Sequence, residues 1–489
     1  MAVAEPVMRF TRDVGWVLVS TAVALVAGFL TRPLLARWLG ADGLGLYSLA
    51  ITILGMGLLL ANFGVSQSIL KYVAEDKDDK DRIARLVFSG FSLSLLLGAA
   101  TGGLLYAFRR PIASFFDMPE VADFLPMIAL ALPFTSLFTS VTGLFNGTRQ
   151  LKVFATLMTS QSILRVVLVL ALVGIGTGVK GAVWGIVLAA IGTALLGLYL
   201  SRRYLGGRLK GRAREARRLL GFGGQMFTAN AANMLLTRAD IVLIGHYLVA
   251  ADVGHYSAAV TIVTLFPAIP NAVQRITFPA TSELWARHDH TALENMMRKS
   301  MKYSACIIVP LGLALAFFAK DIIRLLFGPE FVVASTTLSV LLIAKTLRGG
   351  TVVPIGNVLA GIGRPDLNLK IELMAAGMNV GLNVLLIPRY GILGAAVATT
   401  VSLVVAGVAF LAFTIRLLPI RIDLGWHAWA FGTALVVAGL FWGLSSFTNH
   451  FLAGSLALVA YVAILLGLLL TKQDRSTLTS IVGSFVQRR

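Results

Sequence analysis

The chain has 489 residues, of which 57% are hydrophobic and only 13% charged. A water-exposed surface takes about 25% charged residues, so a soluble globular protein is excluded. Lys+Arg 42 against Asp+Glu 23 gives a net charge of +19, and the single cysteine, Cys306, excludes a disulfide framework or a cysteine-cluster metal site.

A helix crosses the hydrocarbon core with about 20 apolar residues. Fourteen such runs stand in order between charged or turn-rich breaks: 14–38, 46–72, 86–108, 122–146, 153–176, 181–201, 219–246, 254–282, 300–319, 332–360, 368–388, 392–415, 426–446 and 452–471. Period-2 alternation is absent, which removes a transmembrane β-barrel. The first run is too long for a signal-peptide core and reads as a retained span. The expected fold is all-α, a polytopic membrane protein of about fourteen transmembrane helices.

Basic residues set the orientation. Alternate connections, starting at the N-terminus, hold 28 of the 42 Lys and Arg, eight of them in the loop from Arg202 to Arg218; the opposite connections hold 7. Both termini are therefore expected in the cytoplasm of a cell-membrane protein. The net charge is largely positive-inside topology, so no nucleic-acid partner is expected. The remaining 7 cations fall inside spans: Arg32, Lys71, Arg165, Arg238, Arg275, Lys345 and Arg348.

The chain also repeats itself. Ala41-Asp42, Gly45 and Tyr47-Ser48 recur as Ala251-Asp252, Gly254 and Tyr256-Ser257. Pro119-Glu120 recurs as Pro329-Glu330, Arg149 as Arg364, and Gly181-Ala182 as Gly394-Ala395, all at offsets between 209 and 215. This predicts a first six-helix lobe in 1–203, a basic cytoplasmic linker at 204–218 in contact with anionic lipid headgroups, and a second lobe in 219–415. An extra hairpin and tail follow at 416–489. Lobes of six spans enter the membrane in the same direction, so an axis along the membrane normal relates them, with the substrate site expected between.

The segment Leu39-Gly40-Ala41-Asp42-Gly43-Leu44-Gly45-Leu46-Tyr47-Ser48, with Arg238-Ala239-Asp240, Gly245 and Gly254-His255-Tyr256-Ser257-Ala258, resembles the polysaccharide-biosynthesis branch of the multidrug/oligosaccharidyl-lipid/polysaccharide (MOP) exporters. The resemblance covers essentially the whole chain. It implies a flippase that moves lipid-pyrophosphate-linked oligosaccharides from the cytoplasmic to the outer leaflet, with spans one, two, seven and eight lining a central cavity. Fourteen spans are closer to the peptidoglycan-precursor flippases and sporulation-type relatives than to twelve-span members.

The residues support an anionic substrate independently. An ionised side chain at the bilayer centre costs at least about 2.5–3.5 kcal/mol, so deep cations should face protein or a wet cavity. Asp240 is the one acid well inside a span, too few to neutralise seven cations. Arg32, Arg165, Arg238, Arg275, Lys345 and Arg348 are the candidate substrate-binding residues. For Arg165 the alternative is a packing arginine, for Arg32 and Arg238 snorkelling outward; Lys71 reads better as a snorkelling residue. Asn230, Asn233, Thr237 and Asp240 follow steps of three and four along span seven and share one helical face. The first three are candidates for cavity lining, with interhelical hydrogen bonding as the alternative, and Asp240 is a candidate coupling residue. Asn62, Ser66 and Gln67 of span two, and Asn271 and Gln274 of span eight, suit sugar hydroxyls or packing equally. Residues 109–121 and 320–331 read as short amphipathic helices at the outer interface.

No catalytic constellation, P-loop or metal-ligand spacing stands in the sequence, so neither an enzyme nor a cofactor is expected. The partners expected are the lipid-linked oligosaccharide and membrane lipids, with the chain acting as a monomer. The alternative function is a cation-coupled MATE-like multidrug exporter, which usually needs buried carboxylates rather than cations. A membrane-embedded glycosyltransferase would need acids near an outer loop. Mutual repulsion of cations in an empty cavity predicts a resting state open toward the cytoplasm.

Overall fold

A computed structural model describes residues 4–76, 79–206, 212–418 and 423–469. Lys77, Arg208 and Lys210 of the predicted basic loops, Arg421, and the tail cations from Lys472 to Arg489 lie outside the described residues. The described residues are overwhelmingly helical and contain no strand. Two compact units emerge, one of residues 1–261 with 387–392, the other of 262–386 with 393–489.

The first unit holds α1 (Ala4–Asn62), α2 (Val65–Glu75), α3 (Lys80–Ala107), α4 (Arg109–Phe116), α5 (Pro119–Gly147), α6 (Leu151–Leu172), α7 (Gly178–Ser201), α8 (Arg212–Tyr247) and most of α9 (Ala250–Val263). The second holds α10 (Ala268–Ala286), α11 (His290–Phe317), α12 (Ala319–Phe327), α13 (Ala334–Gly350), α14 (Val358–Gly361), most of α15 (Pro365–Leu417), α16 (Leu424–Ser445) and α17 (His450–Ile464).

Among the described residues, nine helical stretches are long and apolar enough to cross a membrane, and α9 with α10, bent by 49°, makes a tenth. Three of them run on where the sequence predicts two spans. Single glycines turn the chain inside them: Gly40 in α1 and Gly391 in α15 leave helical geometry, and Gly176 and Gly178 carry positive φ between α6 and α7. The predicted second span is instead interrupted at Phe63 and Gly64, both in the left-handed region. The predicted span 332–360 ends its helix at Gly350 and continues as short turns. The two predicted amphipathic segments fold as the short helices α4 and α12. α8, 36 residues long, is not among the apolar spans, because Asn230, Asn233, Thr237, Arg238 and Asp240 interrupt its hydrophobic sequence.

Val65, Ile69, Leu86, Phe91, Phe138 and Val141 of α2, α3 and α5 form a core in the first unit, closed by Leu219 of α8. In the second unit, Val309 and Phe317 of α11 pack on Val437 and Phe441 of α16 and on Ala457 and Tyr461 of α17. Hydroxyls are returned to the helix backbone, as a membrane interior demands: Thr31 donates to the Ala27 carbonyl and Thr52 to that of Ser48.

Within the first unit, α2 and α8 meet at backbone distance. A methyl group on Gly64 would lie 2.3 Å from the Gly223 carbonyl oxygen, and Ser68 donates to the Leu219 carbonyl at 2.8 Å. Beyond them Asp76 takes Arg82 and Arg218, each at 3.1 Å. α2 and α8 are thus in close contact at the end assigned to the cytoplasm by charge.

Candidate functional site

Three of the candidate arginines stand in the first unit, each on a different helix. Arg32 stands on α1, and its Nη1 donates to the Thr261 hydroxyl at 3.0 Å. Thr261 in turn donates to the Ser257 carbonyl at 2.6 Å, so one edge of the guanidinium is fixed to α9. Arg165, near the middle of α6, is half-buried, and its Nε has no hydrogen-bond partner among the described residues. Tyr47, only 3% exposed, lies within electrostatic reach of both Arg32 and Arg165. Arg238 of α8, also half-buried, is near enough for its charge to act on Arg32.

Arginine offers five N–H donors and no acceptor, so these residues present positive charge and donors without internal neutralisation. None of the three arginines forms an ion pair among the described residues. Like charges are tolerated in a low-dielectric interior when water or an anion shares the space. Such a group of donors can hold an anion.

The polar stripe of α8 divides. Asn230, Asn233 and Thr237 are exposed on their common face, Thr237 donating to the Asn233 carbonyl at 2.8 Å. Asp240, one turn on, is buried and accepts a 2.6 Å hydrogen bond from the Tyr256 hydroxyl. In the second unit Arg275 is exposed on α10, and Lys345 and Arg348 are half-buried on α13. Arg348 has a buried Nε without a hydrogen-bond partner among the described residues and lies within electrostatic reach of Glu372 on α15. Arg32 is thus within electrostatic reach of Arg238 and of Tyr47, Arg165 within reach of Tyr47, and Arg348 within reach of an acid.

Some of the other polar candidates contact their neighbours. Asn62 accepts from the Ser66 amide, and Ser66 donates to the Thr139 carbonyl. Lys71 lies over the Phe222 ring at 4.2 Å and 3.9 Å from Glu75. Asn271 is exposed and Gln274 half-buried. Two residues passed over by the sequence reading join the charged groups. Tyr47 was visible there as part of the repeated motif, and Glu372 lies near the start of a predicted span.

A family model described as "Polysaccharide biosynthesis protein" matches residues 34–336. A probable low-salt glycan biosynthesis flippase of Haloferax volcanii is 24% identical over 419 residues, covering 86% of either chain. Stage V sporulation protein B of Bacillus subtilis is 22% identical, covering 95% of this chain and 96% of its own. The solved lipid II flippase MurJ, in an inward closed conformation, superposes with a TM-score of 0.74 at 16% identity, covering 91% of this chain and 98% of that one. An inward-facing MATE-family multidrug transporter of the MOP superfamily superposes with a TM-score of 0.65 at 16% identity, covering 80% and 94%. The fold is that of this superfamily, the apolar helices are those of an integral membrane protein, and the chain belongs to the polysaccharide biosynthesis protein family.

Proposed function

We propose that the chain is a flippase that carries a lipid-diphosphate-linked oligosaccharide from the cytoplasmic to the outer leaflet by alternating access. The observation that carries this reading is the presence of Arg32, Arg165 and Arg238 on three long helices of one unit with no carboxylate paired to them among the described residues. A diphosphate needs that environment, and a cationic drug would be repelled by it. The relative named as a probable low-salt glycan biosynthesis flippase supports the same direction.

The finer architecture belongs to this proposal. Opening the three long stretches at their glycines and adding α8 and the α9–α10 pair brings the spans to fourteen. Six-helix lobes at 1–203 and 219–415 follow from the repeat, with the hairpin of 416–489 appended. Arg275, Lys345 and Arg348 add second-lobe cations, and Asp240 is the coupling candidate. The protein acts as a monomer in the cell membrane with both termini cytoplasmic and performs no covalent chemistry. An anionic headgroup moving outward gains about 2.3 kcal/mol per charge from a 100 mV inside-negative potential.

Reconstitution into liposomes with a fluorescent polyprenyl-diphosphate oligosaccharide tests the reading. Headgroup translocation faster than in protein-free liposomes is expected; no acceleration, with efflux of a cationic dye instead, overturns it in favour of the multidrug exporter. Cys306 is buried, so single cysteines can be placed against a silent background. Labels at exposed Ala213 should react from the cytoplasm and those at exposed Asp117 and Glu330 from outside. The reverse pattern sinks the orientation.

A further inference from the structure

Thr52 of α1 and Thr261 of α9 are repeat counterparts, 209 positions apart, and each is only 1% exposed. Both hydroxyls are returned to their own helix four residues back: Thr52 donates to the Ser48 carbonyl at 2.8 Å and Thr261 to that of Ser257 at 2.6 Å. Such a bond is the ordinary arrangement of a threonine in an apolar helix. The other side of the oxygen is where the two differ. Arg32 Nη1 donates to the Thr261 hydroxyl at 3.0 Å, and this is the one hydrogen bond of the Arg32 guanidinium among the described residues. No arginine meets the Thr52 hydroxyl among the described residues. A hydroxyl has one hydrogen and two lone pairs. Because the Thr261 hydrogen is committed to Ser257, its oxygen can only accept from Arg32, and by donating it becomes the stronger acceptor.

We propose that Thr261 is a positioning residue for Arg32. It holds one nitrogen of the planar fork, so the remaining N–H groups are presented to the phosphoryl oxygens of the substrate in a fixed direction. This rests on the diphosphate reading of Arg32 and adds to it the residue that orients the guanidinium. A guanidinium on a free stem must be ordered when the anion binds; one already held has lost that freedom before the substrate arrives. Thr261 thus acts on the headgroup through Arg32, not by touching it. The second copy of the repeated motif supplies an orienting group that the first copy, with the same threonine, does not.

The test uses the purified full-length chain in nanodiscs, with geranylgeranyl diphosphate as the probe and geranylgeraniol as the uncharged control. Thr261→Val keeps the shape and removes the acceptor. It should weaken diphosphate binding about three- to tenfold, the cost of ordering a freed side chain. Thr261→Ser should restore binding to within about twofold of the unaltered chain. Thr52→Val loses the same helix bond with no arginine on it and should also stay within about twofold. In an Arg32→Gln background Thr261→Val should have no further effect, since a residue acting through Arg32 then has nothing to act on. Equal losses from Thr52→Val and Thr261→Val, or an undiminished loss in the Arg32→Gln background, overturn the assignment. If Arg32→Gln weakens binding and Thr261→Val does not, the Thr261 assignment alone is overturned. If Arg32→Gln binds the diphosphate normally, the diphosphate reading itself fails. Should Thr261→Val fail to insert, NMR of the unaltered chain with nitrogen-labelled arginine follows the guanidinium directly, Arg32→Gln identifying the Arg32 signals. Separate Nη1 and Nη2 resonances for Arg32 support a held edge; a single averaged resonance overturns it.

Discussion

Gly45 of α1 and Gly254 of α9 are packed reciprocally against each other's neighbouring backbone. A methyl group on Gly45 would fall 1.8 Å from the Ala250 carbonyl oxygen, and one on Gly254 would fall 2.0 Å from that of Ala41. Both glycines belong to the repeated segment, so the two copies of the motif are pressed face to face where neither can carry a side chain. Small residues that let helices approach at backbone distance are a principal source of packing energy in a membrane, where lipid gives no hydrophobic drive.

Gly45→Ala should therefore cost at least about 1–3 kcal/mol, as overpacking does in a filled core. Thermal unfolding in detergent measures it. Gly103→Ala on α3 is the control, since nothing lies within 4 Å of its added methyl. Equal melting temperatures for the two variants would contradict the close approach.

At the other end, Asp76 is 14% exposed at its side chain and takes both Arg82 and Arg218. Desolvation lowers the Arg218 pKa, but the hydrogen bond and charge of Asp76, with Glu215 beside it, outweigh that and leave it above the ordinary value. A raised basic group stabilises fully below its unfolded pKa and loses that contribution only as pH rises through the folded one. Asp76→Asn should lower stability by about 1–2 kcal/mol, less at high salt. The Arg218 contribution to that loss should be constant from about pH 7 to pH 9. A contribution that fades across this window would show that Arg218 is not the group responsible.

Much of this was legible in the sequence, for identifiable reasons. Charge inside a hydrophobic run is conspicuous because burial is costly, so Arg32, Arg165 and Arg238 could be singled out before any geometry was known. Their place in one unit was not, because the three helices that carry them are distant in sequence. Tyr47 was read as part of a fold signature, since a tyrosine in an apolar segment carries no charge to mark it. Glu372 lies at the edge of its predicted span, and only the packing of α15 and α13 brings it near Arg348. The long stretches read as spans, but the breaks within them rest on single glycines such as Gly40 and Gly391, too brief to appear as loops.

Asp240 and Tyr256 give a test of coupling separate from folding. Asp240→Asn keeps an acceptor for the Tyr256 hydroxyl and removes the charge, so stability should change by no more than about 0.5 kcal/mol. Tyr256→Phe leaves a buried carboxylate short of one bond and should cost about 1–3 kcal/mol. If Asp240 carries the coupling ion, transport by Asp240→Asn in liposomes should no longer respond to an imposed proton or sodium gradient. An undiminished response would remove Asp240 from the mechanism.

The arginines themselves should respond differently to the loss of shape and the loss of charge. Arg32 has one nitrogen committed to Thr261, so its remaining donors point in directions set by the planar fork. Arg32→Lys keeps the charge but substitutes a compact ammonium, which cannot bond Thr261 and a phosphate oxygen with the same geometry. Arg238 shows no hydrogen bond among the described residues, and its influence on Arg32 is through charge. Arg238→Lys should therefore retain most activity while Arg238→Gln does not. Arg32→Lys should resemble Arg32→Gln, each losing about tenfold or more in translocation rate. Initial rates in liposomes, normalised to the amount of inserted protein, decide it. If lysine rescues both positions equally, the site reads only net charge and the fixed geometry of Arg32 is irrelevant. If it rescues neither, Arg238 also contacts the headgroup directly, and the division of roles between the two arginines fails.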